Sequence, residues 1–361
     1  MTSEIVNINH TEIVRGSQNE VESLIKAFIA EQDTKESSRV LYTRTLSQYF
    51  LFVGEREYYR GHATQKELED TKLPNLHEYT KEMGVSKEEI YQYATRVLAD
   101  LTKADIKQYK EYLENTLLLK PLSVGSYLIS VRKFYEWTEA NKLYPNIAKG
   151  VKTPKRHITF EKNYLSDEKS SQLLYYFMER SLRDYAIVNL MLRTGLRTIE
   201  VARAKVGDIT FIDEQRILKV WGKGKEEGEK GADFNLVILT DKAYRPIKEY
   251  LEATGRTRAK ETEYLFTSLS NQNKGEGLTT RTISGLCKEG LVAIGLDSKG
   301  YTAHSLRHTT ASSLLEHGCN ILEVQRVLRH SNPATTQIYT KMKEKEQRIK
   351  NAPENALDNA F

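Results

Sequence analysis

The chain has 361 residues and a formal net charge of +5, from 54 Lys and Arg against 49 Asp and Glu. This length predicts about two domains, and 39% hydrophobic with 29% charged residues excludes a disordered chain and indicates a soluble, globular one. No apolar run approaches the ~18 residues of a membrane-spanning helix, so no membrane partner is expected. The mild positive charge permits a nucleic-acid partner but does not establish one.

The cysteine content and the first residues bear on the compartment. Cys287 and Cys319 are too few for a disulfide framework or a cysteine-based zinc cluster, which fits a reducing compartment. Residues 1–4 lack the basic start and apolar core of a secretory signal. We therefore expect a cytoplasmic protein.

The N-terminal half is predicted to be a helical bundle. Residues 1–16 are polar and aperiodic and are expected to form a flexible N-terminus. Over 17–145, apolar side chains recur at the spacing of half-buried helices, and the helix that starts at Ser38 is expected to end at Gly54. The stretch 55–100 mixes charged residues with tyrosines, and we interpret it as an insertion whose place in the bundle the pattern leaves open.

A basic segment over 146–162 is the predicted linker between the two domains. Proline and glycine interrupt regular structure there. Two interpretations remain open: the lysines belong to a solvated connector, or they form a strap that neutralises DNA phosphates and makes binding fall with salt. The residues expected to bind DNA in the second case are Lys149, Lys152, Lys155 and Arg156.

The C-terminal half mixes helices with a small sheet. Strands are predicted over 217–221 and 234–239, joined by a glycine- and lysine-rich turn over 222–233. Helices are predicted on both sides of this hairpin, and they dominate again from Thr279. The predicted fold class is mainly α with a small antiparallel β-sheet (α+β).

Two clusters in this half place a cation beside glycine. Arg197 follows the Gly195 turn at the start of a helix, where a guanidinium suits bidentate capture of a phosphate. Glu200 lies on the same helical face and can orient it. Lys223 projects from the glycine-flanked hairpin turn. Alone, each cluster is more often ordinary surface, as an Arg–Glu pair at a helix start or a solvated hairpin tip.

The other two clusters carry histidines. His304 and Arg307 share a helical face, where an imidazole beside a guanidinium can bind one anion or manage a proton next to it. His304 and His308 have the spacing of metal ligands, but the glutamate of the H-E-x-x-H motif is missing, so a metal site ranks low. His330 and Tyr339 lie nine residues apart across a proline-broken turn. Alone, such a tyrosine is more often a packing residue than a nucleophile.

Together these groups suit the metal-free transfer of a phosphodiester to a phenol oxygen. Fixed arginine and histidine donors can match the additional negative charge of the transition state before the reaction begins. The leaving 5′ hydroxyl needs a positioned acid, which Lys223 on its turn can supply. A phenol loses its proton more readily than a serine hydroxyl, so Tyr339 can attack if a nearby base helps.

The ordered series resembles the tyrosine recombinase (phage-type integrase) family over about residues 160–340. The motifs that carry the resemblance are Thr194-Gly-Leu-Arg-x-x-Glu200, Gly222-Lys-Gly224, His304-x-Leu-Arg-His-Thr309 and His330-Ser-x-x-x-Thr-x-x-x-Tyr339. The resemblance implies that Tyr339 is the nucleophile that forms a 3′-phosphotyrosine link, and that the scissile phosphate is held by Arg197, Arg307 and His330. It also implies that His304 is the proton acceptor near the nucleophile, that Lys223 is the acid for the 5′ oxygen and that Glu200 is a supporting residue.

The resemblance also implies an architecture and an assembly. Residues 17–145 would be a helical core-binding domain that binds DNA, 163–340 the catalytic domain, and 341–361 a tail that docks on a neighbouring protomer or is disordered. The implied enzyme is a site-specific DNA recombinase or integrase of a mobile element or phage, which acts through a Holliday junction. It would work as a homo-oligomer, a tetramer on two double-stranded DNA sites, with accessory DNA-bending proteins and with no metal, ATP or other cofactor.

The sequence departs from the family pattern at Arg329, in the turn after Lys223 and in the insertion over 55–100, and alternatives remain. Arg329 stands where the family usually has glycine, which predicts an altered local backbone. The turn after Lys223 is long, which leaves Lys225 and Lys230 as rivals for the acid role. A type IB-like topoisomerase would use similar chemistry. A DNA-binding regulator or excision accessory protein without catalysis is the alternative from a different class.

Overall fold

A computed structural model of the chain describes residues 5–8, 11–15, 17, 20–69, 72–155, 163–221, 234–297, 300–352 and 354. The chain divides into two compact units, Met1–His157 and Ile158–Phe361. Buried apolar side chains form a separate core in each. The predicted fold class is confirmed, because the structure is mostly helical with a small antiparallel sheet. Across the described ranges, no helix is both long and apolar enough to cross a bilayer.

The first unit is a helical bundle preceded by a short hairpin. Its helices enclose a core rich in aromatic side chains. Its elements are β1 (Ile5–Ile8), β2 (Thr11–Val14), α1 (Glu20–Glu31), α2 (Glu36–His62), α3 (Gln65–Leu68), α4 (Leu76–Glu82), α5 (Lys87–Val97), a 3₁₀ turn (Leu98–Asp100), α6 (Lys103–Glu111), a π-helical turn (Tyr112–Thr116) and α7 (Pro121–Ala140).

The N-terminal hairpin corrects the prediction of a flexible segment over 1–16. Strands β1 and β2 pair antiparallel, and Ile8 and Ile13 are buried in the core of the bundle. The Arg15 guanidinium donates hydrogen bonds to the backbone carbonyls of Lys142 and Leu143, at 3.1 and 2.7 Å. These contacts cross more than a hundred residues, so a local pattern of polar residues could not reveal them.

Aromatic side chains from α1, α2 and α7 fill the centre of the bundle. Phe28 meets Phe134 edge to face at 5.8 Å between ring centroids. The hydroxyls of Tyr49 and Tyr135 lie 2.9 Å apart and share a hydrogen bond inside the core. Each of these two phenols thereby has a polar partner, as buried tyrosine hydroxyls usually do.

Helix α2 continues two turns past Gly54, so the prediction that this glycine ends the helix is wrong. Gly54 is buried because α5 crosses here, and a Cβ at this position would lie 2.0 Å from the backbone oxygen of Ile90. The glycine is therefore a close-approach site rather than a helix stop. Helices α4 and α5 supply buried residues to the same core, which gives the 55–100 stretch its place in the bundle.

The predicted basic linker begins inside this unit. Ala148 and Val151 are buried in its core, whereas Lys149, Lys152 and Lys155 are exposed. Arg156 lies outside the described residues.

The second unit packs helices around a buried central helix, α9, with a three-stranded sheet at one side. The sheet order is β3-β4-β5, and both pairings are antiparallel. The first strand was not predicted, because its four residues follow a turn and half of them stay exposed. The elements are α8 (Asp167–Met178), α9 (Leu182–Thr194), α10 (Thr198–Arg203), a 3₁₀ turn (Val206–Asp208), β3 (Ile209–Ile212), β4 (Gln215–Trp221), β5 (Phe234–Ile238), α11 (Asp241–Ala253), α12 (Thr280–Ala293), α13 (Ala303–Glu316), α14 (Ile321–Leu328) and α15 (Ala334–Lys350).

The two glycines of α2 supply a matched test of the close approach. Gly54→Ala should lower the free energy of unfolding by about 1–3 kcal/mol, because the new methyl group meets backbone rather than a movable side chain. Gly61→Ala, where nothing lies within 4 Å of the added Cβ, should leave stability unchanged or raise it by up to about 1 kcal/mol. Urea unfolding followed by circular dichroism measures both. Equal unfolding midpoints for the two variants would contradict the assigned role of Gly54.

Candidate active site

Arg197 is positioned by the turn between α9 and α10. Gly195 ends α9 in the left-handed region with φ 61°, and a Cβ there would lie 2.6 Å from Leu328. The next helix starts after Arg197, whose guanidinium donates to Glu200 Oε1 at 2.8 Å while its backbone amide donates to Oε2 at 2.8 Å. The Arg197 side chain stays about one-third exposed, at 35%. Glu200 therefore fixes one side of the guanidinium, and the remainder is accessible to a ligand.

Arg307 lies on α13 and is almost completely buried. Its two terminal nitrogens donate to the backbone carbonyls of Gly195 and Leu328. Its Nε is buried and has no hydrogen-bond partner within the described residues. Burial, reinforced by the positive charges of Arg197 and Arg329, lowers the pKa of Arg307 to about 9. The guanidinium is still cationic at neutral pH, and it has a fixed orientation and an unused donor.

Arg329 keeps the backbone geometry that glycine would have at its position. It ends α14 in the left-handed region with φ 55°. Its side chain turns inward and places Nη2 3.0 Å from Glu200 Oε2. A further hydrogen bond reaches the Val327 carbonyl at 2.6 Å. The conformation costs roughly 1–2 kcal/mol for a residue with a side chain.

Glu200 is the carboxylate that Arg197 and Arg329 share. Burial opposes its ionisation, but Arg329 and Arg197, together with the Arg197 amide, outweigh this effect and hold the pKa of Glu200 below its usual range. The carboxylate is therefore charged at neutral pH and links the start of α10 to the end of α14.

His330 follows Arg329 and is half-buried beside these cations. Its Nδ1 lies 2.9 Å from the Thr336 hydroxyl. Burial lowers its pKa to about 4, and the charges of Arg307 and Arg197 act in the same direction. His330 is therefore a neutral hydrogen-bonding group at physiological pH.

Tyr339 lies in α15 with 5% of its surface exposed. Burial raises the pKa of its phenol to about 12, although Arg307 and Arg197 act in the opposite direction. The phenol therefore lies within the electrostatic influence of the two arginines that were predicted to act with it. It is protonated at neutral pH, and as a nucleophile it needs a base.

The residue in contact with this phenol is His308, which was not among the predicted site residues. His308 Nδ1 lies 2.6 Å from the Tyr339 hydroxyl oxygen. His304, the predicted proton acceptor, is exposed one turn earlier, and its ring packs edge-on against His308 with 4.6 Å between centroids. The spacing of four residues between His304 and His308 predicts at most a metal pair and gives no sign of the contact with Tyr339. In the described ranges no group of three His, Cys, Asp or Glu side chains could hold a metal ion.

Open space adjoins these side chains. A cavity of about 860 Å³ is lined by Arg197, Glu200, Arg329 and His330, among others. A second, of about 580 Å³, is lined by Arg197 and His304 on another side. Lys223, the predicted acid, lies outside the described residues, as do its rivals Lys225 and Lys230.

The family of the chain follows from its similarity to known proteins. Residues 163–346 match the model of the phage integrase family. Tyrosine recombinase XerA of Pyrococcus furiosus is 30% identical over 295 residues, which is 81% of this chain and 92% of that protein. The chain belongs to the phage integrase family, the tyrosine recombinases.

Two further comparisons agree with this placement. Tyrosine recombinase XerC of Caldanaerobacter subterraneus subsp. tengcongensis is 30% identical over 243 residues, or 65% of this chain and 64% of that protein. The crystal structure of the XerH site-specific recombinase bound to palindromic difH substrate superimposes with a TM-score of 0.61 at 17% identity. It covers 94% of this chain and 97% of that one, and it supports the fold alone.

Replacing Arg329 tests the shared carboxylate. Arg329→Gly suits the left-handed backbone but removes one partner of buried Glu200, so we expect a loss of roughly 1–3 kcal/mol of unfolding free energy at pH 7. The folded-state pKa of Glu200 is depressed. Its ion-pair contribution is therefore present above the unfolded-state pKa and is lost as the pH falls through the folded-state pKa.

The deficit of Arg329→Gly should accordingly narrow in acid. Urea unfolding at pH 7 and at about pH 4 measures this change. Arg326→Ala, at an exposed arginine of the same helix, is the control and should change stability by less than about 0.5 kcal/mol at both. An equal deficit at both pH values would show that the ion pair with Glu200 is not the cause.

Proposed function

We propose that this protein is a site-specific DNA recombinase that cuts and rejoins strands through a 3′-phosphotyrosine intermediate and a Holliday junction. The observation that carries the proposal is the buried Tyr339 phenol, which contacts His308 and whose ionisation the charges of Arg307 and Arg197 favour. A buried tyrosine that only packs has no need of two nearby guanidinium groups. A nucleophile that attacks a phosphate does need them, because they hold the target and stabilise the charge that develops on it.

The phosphate is held by groups fixed before it arrives. Arg307 is anchored through two backbone carbonyls and keeps its Nε for a nonbridging oxygen. Arg197 is oriented by Glu200 and opens onto both cavities. His330 is neutral and anchored through Thr336, so it contributes a hydrogen bond rather than a charge. Such preorganised donors need no rearrangement during the reaction.

The strand exchange conserves the energy of the broken bond. The Tyr339 oxygen forms a bond to phosphorus while the bond from phosphorus to the 5′ oxygen breaks, and Lys223 gives a proton to that oxygen. Attack by a 5′ hydroxyl of the partner strand reverses these steps. Each exchange replaces one phosphodiester with another, so neither ATP nor a divalent ion is required.

The proposed substrate is double-stranded DNA that carries specific recombination sites. Lys149, Lys152 and Lys155 are exposed cations near the end of the first unit and would neutralise phosphates, which makes binding fall with salt. We propose a core-binding domain over 17–145, a catalytic domain over 163–340, and a homotetramer on two sites with accessory DNA-bending proteins. The added helices over 55–100 favour an element of phage or mobile origin, and the site of action would be the cytoplasmic nucleoid.

The central test is covalent capture on a nicked suicide substrate, followed by mapping of the DNA-linked peptide. The wild-type chain should form an adduct through Tyr339. Tyr339→Phe should bind the same DNA with unchanged affinity and form none, because it lacks the oxygen that bonds to phosphorus. Tyr175→Phe, at an exposed tyrosine of the same unit, is the control and should form the adduct at the wild-type rate.

Three results would contradict the proposal in different ways. Adduct formation by Tyr339→Phe would remove this residue from the mechanism. DNA binding with no adduct in the wild-type chain would indicate the regulator without catalysis. Relaxation of supercoiled DNA, without joint molecules between two sites, would indicate the topoisomerase.

The acid role of Lys223 has a separate test. Lys223→Ala should slow cleavage of ordinary DNA by roughly 10²–10⁴-fold, the usual contribution of a general acid. A substrate with sulfur in place of the bridging 5′ oxygen leaves without protonation and should restore the rate. Lys225→Ala and Lys230→Ala are the matched controls and should cleave ordinary DNA normally. If sulfur rescues one of these variants instead, the acid role belongs to that lysine.

A further inference from the structure

We infer that His308 is the group that takes the proton from the Tyr339 phenol when the phenol attacks, and that His304 stands behind it rather than at the phenol. This inference rests on the proposed function and names a catalytic residue for it. The observation that carries it is the 2.6 Å distance between His308 Nδ1 and the Tyr339 oxygen.

The phenol cannot act without a base. Its pKa of about 12 leaves roughly one molecule in 10⁵ ionised at pH 7. The two arginines favour the phenolate but do not overcome burial. A base in direct contact removes the proton as the bond to phosphorus forms, which avoids the cost of making a free phenolate first.

The other titratable groups of the site are poorly suited to this task. Glu200 is occupied by Arg197 and Arg329. His330 faces Thr336 through Nδ1, and the surrounding cations disfavour its protonation. His308 is therefore the best-placed acceptor among the described residues, since its ring nitrogen already meets the hydroxyl.

Transfer of the phenol proton to His308 requires one tautomer of its ring. With His308 as the Nε2–H tautomer, Nδ1 accepts the phenol proton while the Tyr339 oxygen bonds to phosphorus, and the ring becomes an imidazolium. The His304 ring lies edge-on beside it and is exposed to solvent. In the rejoining step the same imidazolium returns the proton to Tyr339 as the phenol leaves.

The fold holds the two partners in register. His308 and Arg307 are adjacent on α13, whose Arg307 is fixed to the turns at Gly195 and Leu328. On α15, Lys343 donates to the Leu315 carbonyl at the end of α13, and Glu346 accepts from Tyr164 at 2.5 Å. Contacts one and two turns beyond Tyr339 therefore tie its helix to this domain.

The test uses His308→Asn in the full-length chain with the nicked suicide substrate. Asparagine can place a hydrogen-bonding atom near the Nδ1 position but has no basic nitrogen, so positioning and proton transfer are separated. We expect adduct formation to slow by roughly 10²–10³-fold, with DNA affinity unchanged. His304→Asn should have a smaller effect. His317→Asn, at an exposed histidine just past the end of the same helix, should match the wild type.

A second measurement excludes a merely structural effect. Incorporation of 3,5-difluorotyrosine at position 339 lowers the phenol pKa and makes a base less necessary. It should speed adduct formation by His308→Asn at least about tenfold, and that by the wild type far less. A misfolded or displaced site would not respond in this way.

The outcomes separate this inference from the proposed function. If the wild-type chain forms no adduct, the proposed function fails. If the wild type forms the adduct and His308→Asn does so at the same rate, only the role of His308 is overturned. If His304→Asn formed the adduct much more slowly than the wild type and His308→Asn did not, the proton acceptor would be His304. If His308→Asn formed the adduct slowly and 3,5-difluorotyrosine did not restore its rate, the role of His308 as the base would also be overturned.

Discussion

The buried carboxylate of Glu200 is the constraint on which the arrangement of the second unit's arginines depends. It joins Arg197 at the start of α10 to Arg329 at the end of α14. These two arginines are 132 residues apart along the chain but contact the same carboxylate. Because a buried charge is stable only when it is paired, this carboxylate requires both guanidinium groups to stay near it. Arg307 joins the same two segments, because it donates hydrogen bonds to the carbonyls of Gly195 and Leu328. The positions of the cations are thus determined by the fold and not by the ligand.

Burial of the phenol has two consequences that must be weighed together. It protects Tyr339 from solvent, and it raises the phenol pKa to about 12. Burial in an apolar interior would make the residue inert. Here the Tyr339 side chain contacts His308, and the charges of Arg307 and Arg197 favour its ionisation. Low solvent access strengthens these interactions. The environment of the phenol, rather than its exposure, decides whether it is a nucleophile.

The sequence predicted the members of this site better than their contacts. Arg197, Arg307, His330 and Tyr339 were selected from their order and chemistry, and the structure places them around one set of electrostatic interactions. His308 was overlooked because its spacing from His304 was read only as a possible metal pair. The partner that gives it a role, Tyr339, lies 31 residues away along the chain. Helix periodicity places side chains on a face but cannot say which other helix that face meets.

The errors in the fold have the same physical origin. Gly54 carries the local signal of a helix end, yet α2 continues because the missing side chain admits the backbone of Ile90. The polar N-terminal residues give no helical or strand signal of their own, yet Ile8 and Ile13 reach the core of the bundle. In both places the deciding contact joins distant segments. A local pattern does report fold class, since that depends on how much of the chain is helical rather than on which segments touch.

Arg329 adds to the positive charge of the assembled site. Three guanidinium groups act on one another and on one carboxylate within the described residues, while His330 is neutral. The excess positive charge is therefore about two, and repulsion from Arg197 and Arg329 adds to the effect of burial in lowering the pKa of Arg307. A phosphodiester carries one negative charge, and its pentacoordinate transition state approaches two. The transition state thus relieves more of the repulsion than the bound substrate does, which is the condition for catalysis rather than tight binding. Arg329 adds to this excess from behind Glu200, at the cost of a strained backbone.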